Sequence, residues 1–435
     1  MNITEEQVIQ LAPDTSSLKA GQQLATVAKW VKRHVHEKAI WGYCQGSGKE
    51  PYKTMIDRAN LAFKCSCPSR KFPCKHGIAL GLLYAKNPGD FQVETTLAEL
   101  VEEWIGKREV KAEVKKEKEE KPVDEAAQKK RVEAREKKVK NGIEELRTWL
   151  KDTVRTGIVN VPQQAYNLTT TIAARMVDAQ ASGLATMAKG LSSVDFYHEG
   201  WEKVFLKKLS KIYLLTEGYR QLDNLPPLLA QDVRSLTGWT TSKEEVLAGN
   251  SVNDNWVVLS ITTEEDDKVT TERIWMYGQE SACFALLLNF YGGGQTAQHT
   301  LYSGAIVNAE LAFYPSVLPL RAIIKDQTAI APFTSLTGFG SFKSITELVA
   351  QTLSVLPFAE KVPCLLSNVK INLTNKKWLL MDADNLSYLL NNTENTCWKA
   401  LAISQGLPFS AFAVYENEKL TILSMWTKAN FYSIV

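Results

Sequence analysis

The stretch that decides how this chain is organised is Phe63-Lys64-Cys65-Ser66-Cys67-Pro68-Ser69-Arg70-Lys71-Phe72-Pro73-Cys74-Lys75-His76. Its skeleton is C-x-C, a six-residue spacer, then C-x-H. Three potential thiolates and one imidazole meet the four-ligand demand of tetrahedral Zn²⁺. A soft, closed donor set of this kind selects zinc over magnesium or calcium. In an extended segment side chains i and i+2 share a face, so Cys65 and Cys67 can address one ion. Pro68 and Pro73 restrict the intervening loop and lower the entropy lost when the distant pair returns. The run Gly77 to Ala85 is helix-like, which places Cys74 and His76 at a helix entrance. The unit expected around the ion is two strands followed by a helix.

Competing readings make Cys65 and Cys67 inert core thiols or a redox pair, and His76 a helix cap. Four soft ligands within twelve positions favour the metal. Cys44 is the rival fourth ligand, on a different strand. Cys283, Cys364 and Cys397 stand singly in apolar surroundings and read as buried small hydrophobes. Seven cysteines in 435 residues are too sparse for a disulfide scaffold, and their odd number would strand a thiol in an oxidising compartment.

Around the motif stand Arg58, Lys64, Arg70, Lys71 and Lys75, with no acid between Arg58 and His76. Together with Tyr52, Phe63 and Phe72 they form a candidate basic, aromatic-edged contact surface for phosphates or for a protein partner. The bland alternative is that these cations compensate a zinc-thiolate site whose own charge is −1. Other motifs fail: Gly46-Ser47-Gly48-Lys49 lacks the residues of a phosphate loop and reads as a turn. Asp382 and Asp384 start like a calcium loop that Leu386 interrupts. His198-Glu199 beside Asp195 reads as a helix-start cluster. No nucleophile elbow, zinc-protease or dinucleotide motif is present.

Outward from the motif, the net charge of +3 excludes a wholly polyanion-coated protein. It divides into +2 for residues 1–105, +5 for 106–140 and −4 for 141–435. Residues 106–140 hold no aromatic residue, Leu or Ile, so they read as a charged linker whose second half can be a solvated helix. Before the motif, Ser16 or Ser17 can cap a helix reaching roughly Lys32. Residues 141–245 read as a helical unit. Its stripes are Ile143, Leu146, Leu150 and Val154, then Ile172, Met176 and Ala179, then Val204, Leu206, Leu209, Ile212 and Leu215. Gly157 stops its first helix, Pro162 opens the second, and Pro226-Pro227 starts another.

From Trp256 the period changes to two, with hairpins at 256–277 and at 409–426, a Gly292-Gly293-Gly294 turn, and helix near 344–356. The expected architecture is α+β and multidomain. A zinc-organised ββα module with an N-terminal helix (1–105) is followed by a charged linker (106–140), a helical unit (141–245) and a sheet-rich C-terminal domain (246–435). No repeat of fixed period is found. No apolar run approaches the ~20 residues of a membrane span, and the acidic N-terminus lacks signal-peptide character, so a cytoplasmic protein is expected.

The C-x-C, spacer, C-x-H pattern in CSCPSRKFPCKH resembles the SWIM zinc finger. Gly46 to Lys49, Pro51-Tyr52 and Ile56-Asp57 resemble the variant in stand-alone bacterial SWIM proteins. Weaker likeness extends to Arg175 to Ala181 and to Trp398 to Trp426. By position the resemblance implies Cys65, Cys67, Cys74 and His76 as zinc ligands, and binding to protein or DNA. It also implies partnership with AAA+ ATPases of the MoxR type and von Willebrand A-domain proteins rather than catalysis. The leading expectation is therefore a non-enzymatic, zinc-binding adaptor. The alternatives are a DNA-binding protein using the finger's cations, and an enzyme whose site lies unrecognised in the C-terminal domain.

Overall fold

The order of elements follows the change from helical to two-residue periodicity along the chain. The computed structural model describes residues 3–12, 15–46, 50–58, 61–69, 71, 73–106, 125–266, 269–292, 301–333, 335–338, 340–427 and 430–435. These form two compact units, the first built on residues 1–123 and the second on 124–264, 272–289 and 301–435. Most of the expected linker, together with Arg70 and Phe72, lies outside the described residues.

In the first unit, helices α1 (Glu5–Gln10) and α2 (Thr15–Leu24) precede strands β1 (Trp30–Val35), β2 (Ala39–Cys44), β3 (Tyr52–Asp57) and β4 (Ala62–Cys65). Then come α3 (Lys75–Lys86), β5 (Gln92–Val93) and a short helix α4 at 99–106. The sheet order is β4-β3-β2-β1-β5. The expected helix through Lys32 ends instead at Leu24, whose carbonyl accepts the indole N–H of Trp30 at 2.9 Å. Trp30 to Val35, rich in β-formers, pairs with β2 as a strand. Helix α3 buries Ile78, Leu80 and Leu82 against Ile40, Ile56 and Phe63 on one sheet face. On the other face Val101 and Ile105 of α4 cover Ala39, Trp41 and Met55.

The second unit begins with helices α5 (Glu125–Arg155), α6 (Val161–Asp178), α7 (Ser182–Lys189), α8 (Trp201–Arg220), α9 (Pro227–Thr237) and α10 (Lys243–Ala248). Helix α5 runs without a break across residue 140, and Val139, Ile143, Leu146 and Leu150 all enter its core. Val154 is 53% exposed, because the stripe rotates out of the core near the helix end. On α8 the buried set is Phe205, Leu209, Ile212 and Leu215, while the expected Val204 and Leu206 face solvent. The i, i+4, i+7 spacing from Phe205 sets that face.

Strands β6 (Ser251–Asp266), β7 (Val269–Gly278), β8 (Phe284–Gly292), β9 (Ala305–Phe313) and β10 (Arg321–Pro332) close into a barrel in the order β10-β8-β7-β6-β9. After α11 (Phe342–Val355) come β11 (Val362–Thr374), β12 (Lys377–Met381), β13 (Ser387–Leu390), α12 (Glu394–Ser404), β14 (Phe409–Glu416), β15 (Lys419–Trp426) and β16 (Phe431–Ser433). Their sheet runs β13-β12-β11-β14-β15-β16 and closes through a further β13–β15 pairing. In both barrels the third and fifth strands pair parallel, while the first pairs antiparallel with the fourth. That is the connectivity of an OB-type barrel, used twice. The sequence shows no such repeat, because the two barrels share strand connectivity and not residue spacing. Trp275, Val257 and Leu259 on the outside of the first barrel pack against Phe412, Val414 and Trp426 of the second.

Candidate metal centre

The pairing Thr54↔Cys65 puts Cys65 at the end of β4 on the face that α3 covers. Backbone pairing continues one residue further, where Ser66 N–H reaches the Lys53 carbonyl at 3.0 Å, so the chain leaves the sheet with Cys67 just beyond it. Cys74 is the N-cap of α3, and His76 is the helix's second residue. A Cβ on Gly77 would come within 3.0 Å of the Phe63 ring, so glycine lets the helix start sit directly on β4.

Cys65, Cys67, Cys74 and His76 thereby converge, with one donor atom from each lying within 4.8 Å of the others. Nδ1 of His76 is 3.8 Å from Sγ of Cys65 and 4.0 Å from Sγ of Cys74, so Nδ1 is the nitrogen turned toward the sulfurs. A tetrahedron built on bonds of ~2.3 Å to sulfur and ~2.0–2.1 Å to nitrogen has edges of about 3.5–3.8 Å, so donors that all lie within 4.8 Å of one another need to draw in by about 1 Å at most to hold the ion. Zinc binding is thus supported by donor chemistry and by geometry. Bound zinc would hold the end of β4 to the start of α3. Four protein donors complete its coordination, as in structural sites.

The surroundings are arranged for thiolates. Thr54 Oγ1 lies 3.2 Å from Sγ of Cys65, and the Tyr52 ring packs at 4.7 Å on His76. A hydrogen bond from the Cys74 thiol, joined by the Thr54 hydroxyl, lowers Cys65 below the ordinary cysteine range. Donating that hydrogen bond, together with burial, pushes Cys74 up to about 12. Burial raises Cys67. Of the three sulfurs Cys65 is therefore the readiest to ionise, and a bound dication favours the thiolate form of all three.

Cys44 is fully buried on β2 opposite Tyr52, outside the cluster, and burial raises its thiol. Cys364 and Cys397 are buried as expected, but Cys283 is exposed, because it sits in the turn between β7 and β8 and not within a strand. Asp382 is spent on the backbone N–H groups of Phe342, Asp384 and Leu386.

The expected contact residues do not form one described surface. Lys71 and Lys75 are exposed beside the ligands. Lys64 sits opposite Met55, on the sheet face turned away from Cys65. The Arg58 guanidinium is engaged, donating to the His36 carbonyl at 3.0 Å and lying 5.8 Å from the Tyr84 ring centroid. Arg70 and Phe72 lie outside the described residues. The sequence reading missed Thr54 as a partner of Cys65, although a polar β-residue eleven positions before it was the available signal.

In the helical region, Trp239 lies between two guanidinium groups, Arg135 at 4.1 Å and Arg234 at 4.4 Å. Glu136 joins Arg234 at 3.0 Å and accepts from Tyr219 at 2.9 Å. Arg135 and Glu136, expected in the linker, are thus bound into the bundle. Arg175 pairs with Glu145 of α5, and Met176 and Ala181 are fully buried.

Two family models match the chain: SWIM zinc finger at residues 64–84, and SWIM-associated four-helix bundle domain at residues 134–237. No curated protein and no solved structure matches it. The first match covers all four converging donors, and the second spans α5 from residue 134 to the end of α9. The chain therefore carries a SWIM zinc finger together with the helical bundle associated with it, consistent with a SWIM zinc finger protein.

Proposed function

We propose that this chain is a non-enzymatic adaptor whose zinc-organised unit docks onto a protein partner. The observation that carries this reading is the closed donor set Cys65, Cys67, Cys74 and His76, which leaves zinc no position for a substrate or an activated water. Such a metal shapes a surface instead of performing chemistry. An enzyme with its site in the C-terminal domain would need clustered titratable groups in a pocket there. The cavity of about 680 Å³ beside Trp426 is lined by Ser335, Asn368, Ser404, Gln405, Ser410, Thr427 and apolar side chains, with no titratable group among its described lining residues. Among the described residues no helix is long and apolar enough to cross a membrane. A cytoplasmic location fits this reading.

The division of the finger's cations between two sheet faces, with Arg58 already engaged, supports protein over duplex DNA as what the finger itself meets. The family resemblance names the partner class: a MoxR-type AAA+ ATPase or a von Willebrand A-domain protein. The test is direct binding of the purified, zinc-loaded chain to each of these from the same host, with Cys74→Ser as the metal-free comparison. Zinc-dependent binding to either supports the adaptor. Absence of binding to both removes the named partners, and turnover by the chain alone would replace the adaptor with an enzyme.

A further inference from the structure

We infer that the sheet face of the first unit pointing away from the zinc ligands is a binding surface for single-stranded nucleic acid, centred on Tyr43 and bounded by Lys32, Lys53 and Lys64. This rests on the reading of the unit as a macromolecule-binding module, and adds a second surface to it.

The residues share a face by register. Lys32 of β1 is opposite Tyr43 of β2, and Tyr43 is opposite Lys53 of β3. One step along the strands, Trp41 is opposite Met55, and Met55 is opposite Lys64 of β4. Alternation puts Lys53 and Met55 on the same side, so Lys64 joins the row while its neighbour Cys65 faces α3. The lysine at position 32 has its ammonium 5.9 Å from the Tyr43 ring centroid. All three lysines are exposed, Tyr43 is half-buried, and among the described residues α4 packs on the Ala39, Trp41 and Met55 end of the face.

The cations of the face are Lys32, Lys53 and Lys64. Of its acids, Glu94 is held by His34 at 2.8 Å and Asp57 is buried. Glu50 stands at the β2–β3 turn, and the exposed Glu99, Glu102 and Glu103 belong to α4. No ion pair involves Lys32, Lys53 or Lys64 among the described residues. With strands ~4.8 Å apart, the Lys32 and Lys53 backbones are about 10 Å apart, the span of one to two nucleotides.

An aromatic ring with cations on either side is the arrangement that binds a strand through base stacking and phosphate contacts. A duplex keeps its base faces stacked inside and would leave the tyrosine unused. An acidic peptide would use the lysines without needing the ring. A stacked base would displace the Lys32 ammonium from the ring toward that nucleotide's phosphate. The first barrel offers no equivalent: its β7–β8 face, the oligonucleotide face of such barrels, is filled by Trp275, Phe284 and Leu286 packed toward the second barrel.

The experiment is fluorescence anisotropy of the full zinc-loaded chain with a labelled oligothymidylate of about 15 nucleotides, across a salt series. Binding is expected to weaken about fivefold or more in Tyr43→Ala, the loss of one stacked base, and to persist in Tyr43→Phe. Replacing Lys32, Lys53 and Lys64 with Gln should lower the salt slope by up to about 2, at ~0.7 per single-strand phosphate. Lys71→Ala with Lys75→Ala should leave it unchanged, and zinc content should be the same in every variant. Absence of binding, indifference to Tyr43→Ala, a duplex bound as tightly as the single strand, dependence on Lys71 and Lys75 instead, or equal competition by polyglutamate would each overturn the inference. Binding of the protein partner depends on Cys74 and is read separately, so failure of one reading does not carry the other with it.

Discussion

The hydroxyl of Thr54 lies 3.2 Å from the sulfur of Cys65, directly across the β3–β4 pair. It is the one side-chain hydroxyl supplied by the sheet to the metal cluster among the described residues, and it turns a backbone register into a means of stabilising a thiolate. Outer partners of this kind commonly account for ~10–100-fold in metal affinity. Thr54→Val preserves shape and removes the donor, so zinc affinity should fall by about that factor while Thr54→Ser retains it. Competition with a chromophoric chelator measures both.

One zinc ion per chain is expected in protein purified under reducing conditions. Metal binding in small fingers contributes on the order of 10–16 kcal/mol, as much as the whole stability of a typical domain. Chelation, or Cys74→Ser, should therefore abolish amide protection across β3, β4 and α3. Protection in α5 to α9 should remain, since that bundle has its own core around Ile143, Met176 and Leu215. Elemental analysis and hydrogen exchange check the two halves of this expectation.

Asp254 gives a pH dependence with a defined sign. Although burial works to raise it, hydrogen bonds from the Ser281 hydroxyl and N–H and from the Glu280 and Asn255 N–H groups hold this carboxyl below the usual carboxylate value. A folded value below the unfolded ~3.9 means the stabilisation is present above that pH and is lost as pH falls through the folded value. Asp254→Asn should cost about 1.5–3 kcal/mol at neutral pH, and the difference from wild type should close below about pH 4. Thermal unfolding of both proteins from neutral to acidic pH shows whether the gap closes.

At the crossing of α5 and α6, a Cβ built on Gly142 would stand 2.4 Å from the Cβ of Ala179. Gly142→Ala gains about 1 kcal/mol in helix propensity. Overpacking against a methyl fixed to backbone costs about 1–3 kcal/mol, so the net effect should be destabilising. A higher denaturation midpoint for the variant would contradict the close approach.

The metal motif was legible because its chemistry is local: four soft donors within twelve positions need only a strand end and a helix start to meet. The ββα order around them, the bundle stripes through Ile143 and Leu209, and the strand pair at 409–426 were legible because periodicity records which face is buried. Local pattern could not show that Trp30 begins a strand, since only pairing with Cys44 and its neighbours outweighs the helical spacing of Val27 and Val31. Nor could it tell that Lys64 and Cys65 face opposite sides of one sheet with Tyr43 and Lys53 beside the lysine, or that Arg58 is engaged by a carbonyl and a ring. Those relations, like the two barrels closed by parallel third and fifth strands, join residues far apart in sequence. The sequence by itself determined the donors, the helical faces and the strand runs. Which strands pair, and therefore which side chains share a surface, was decided only by the tertiary structure, because register is set by the burial of a whole face and not by any one strand.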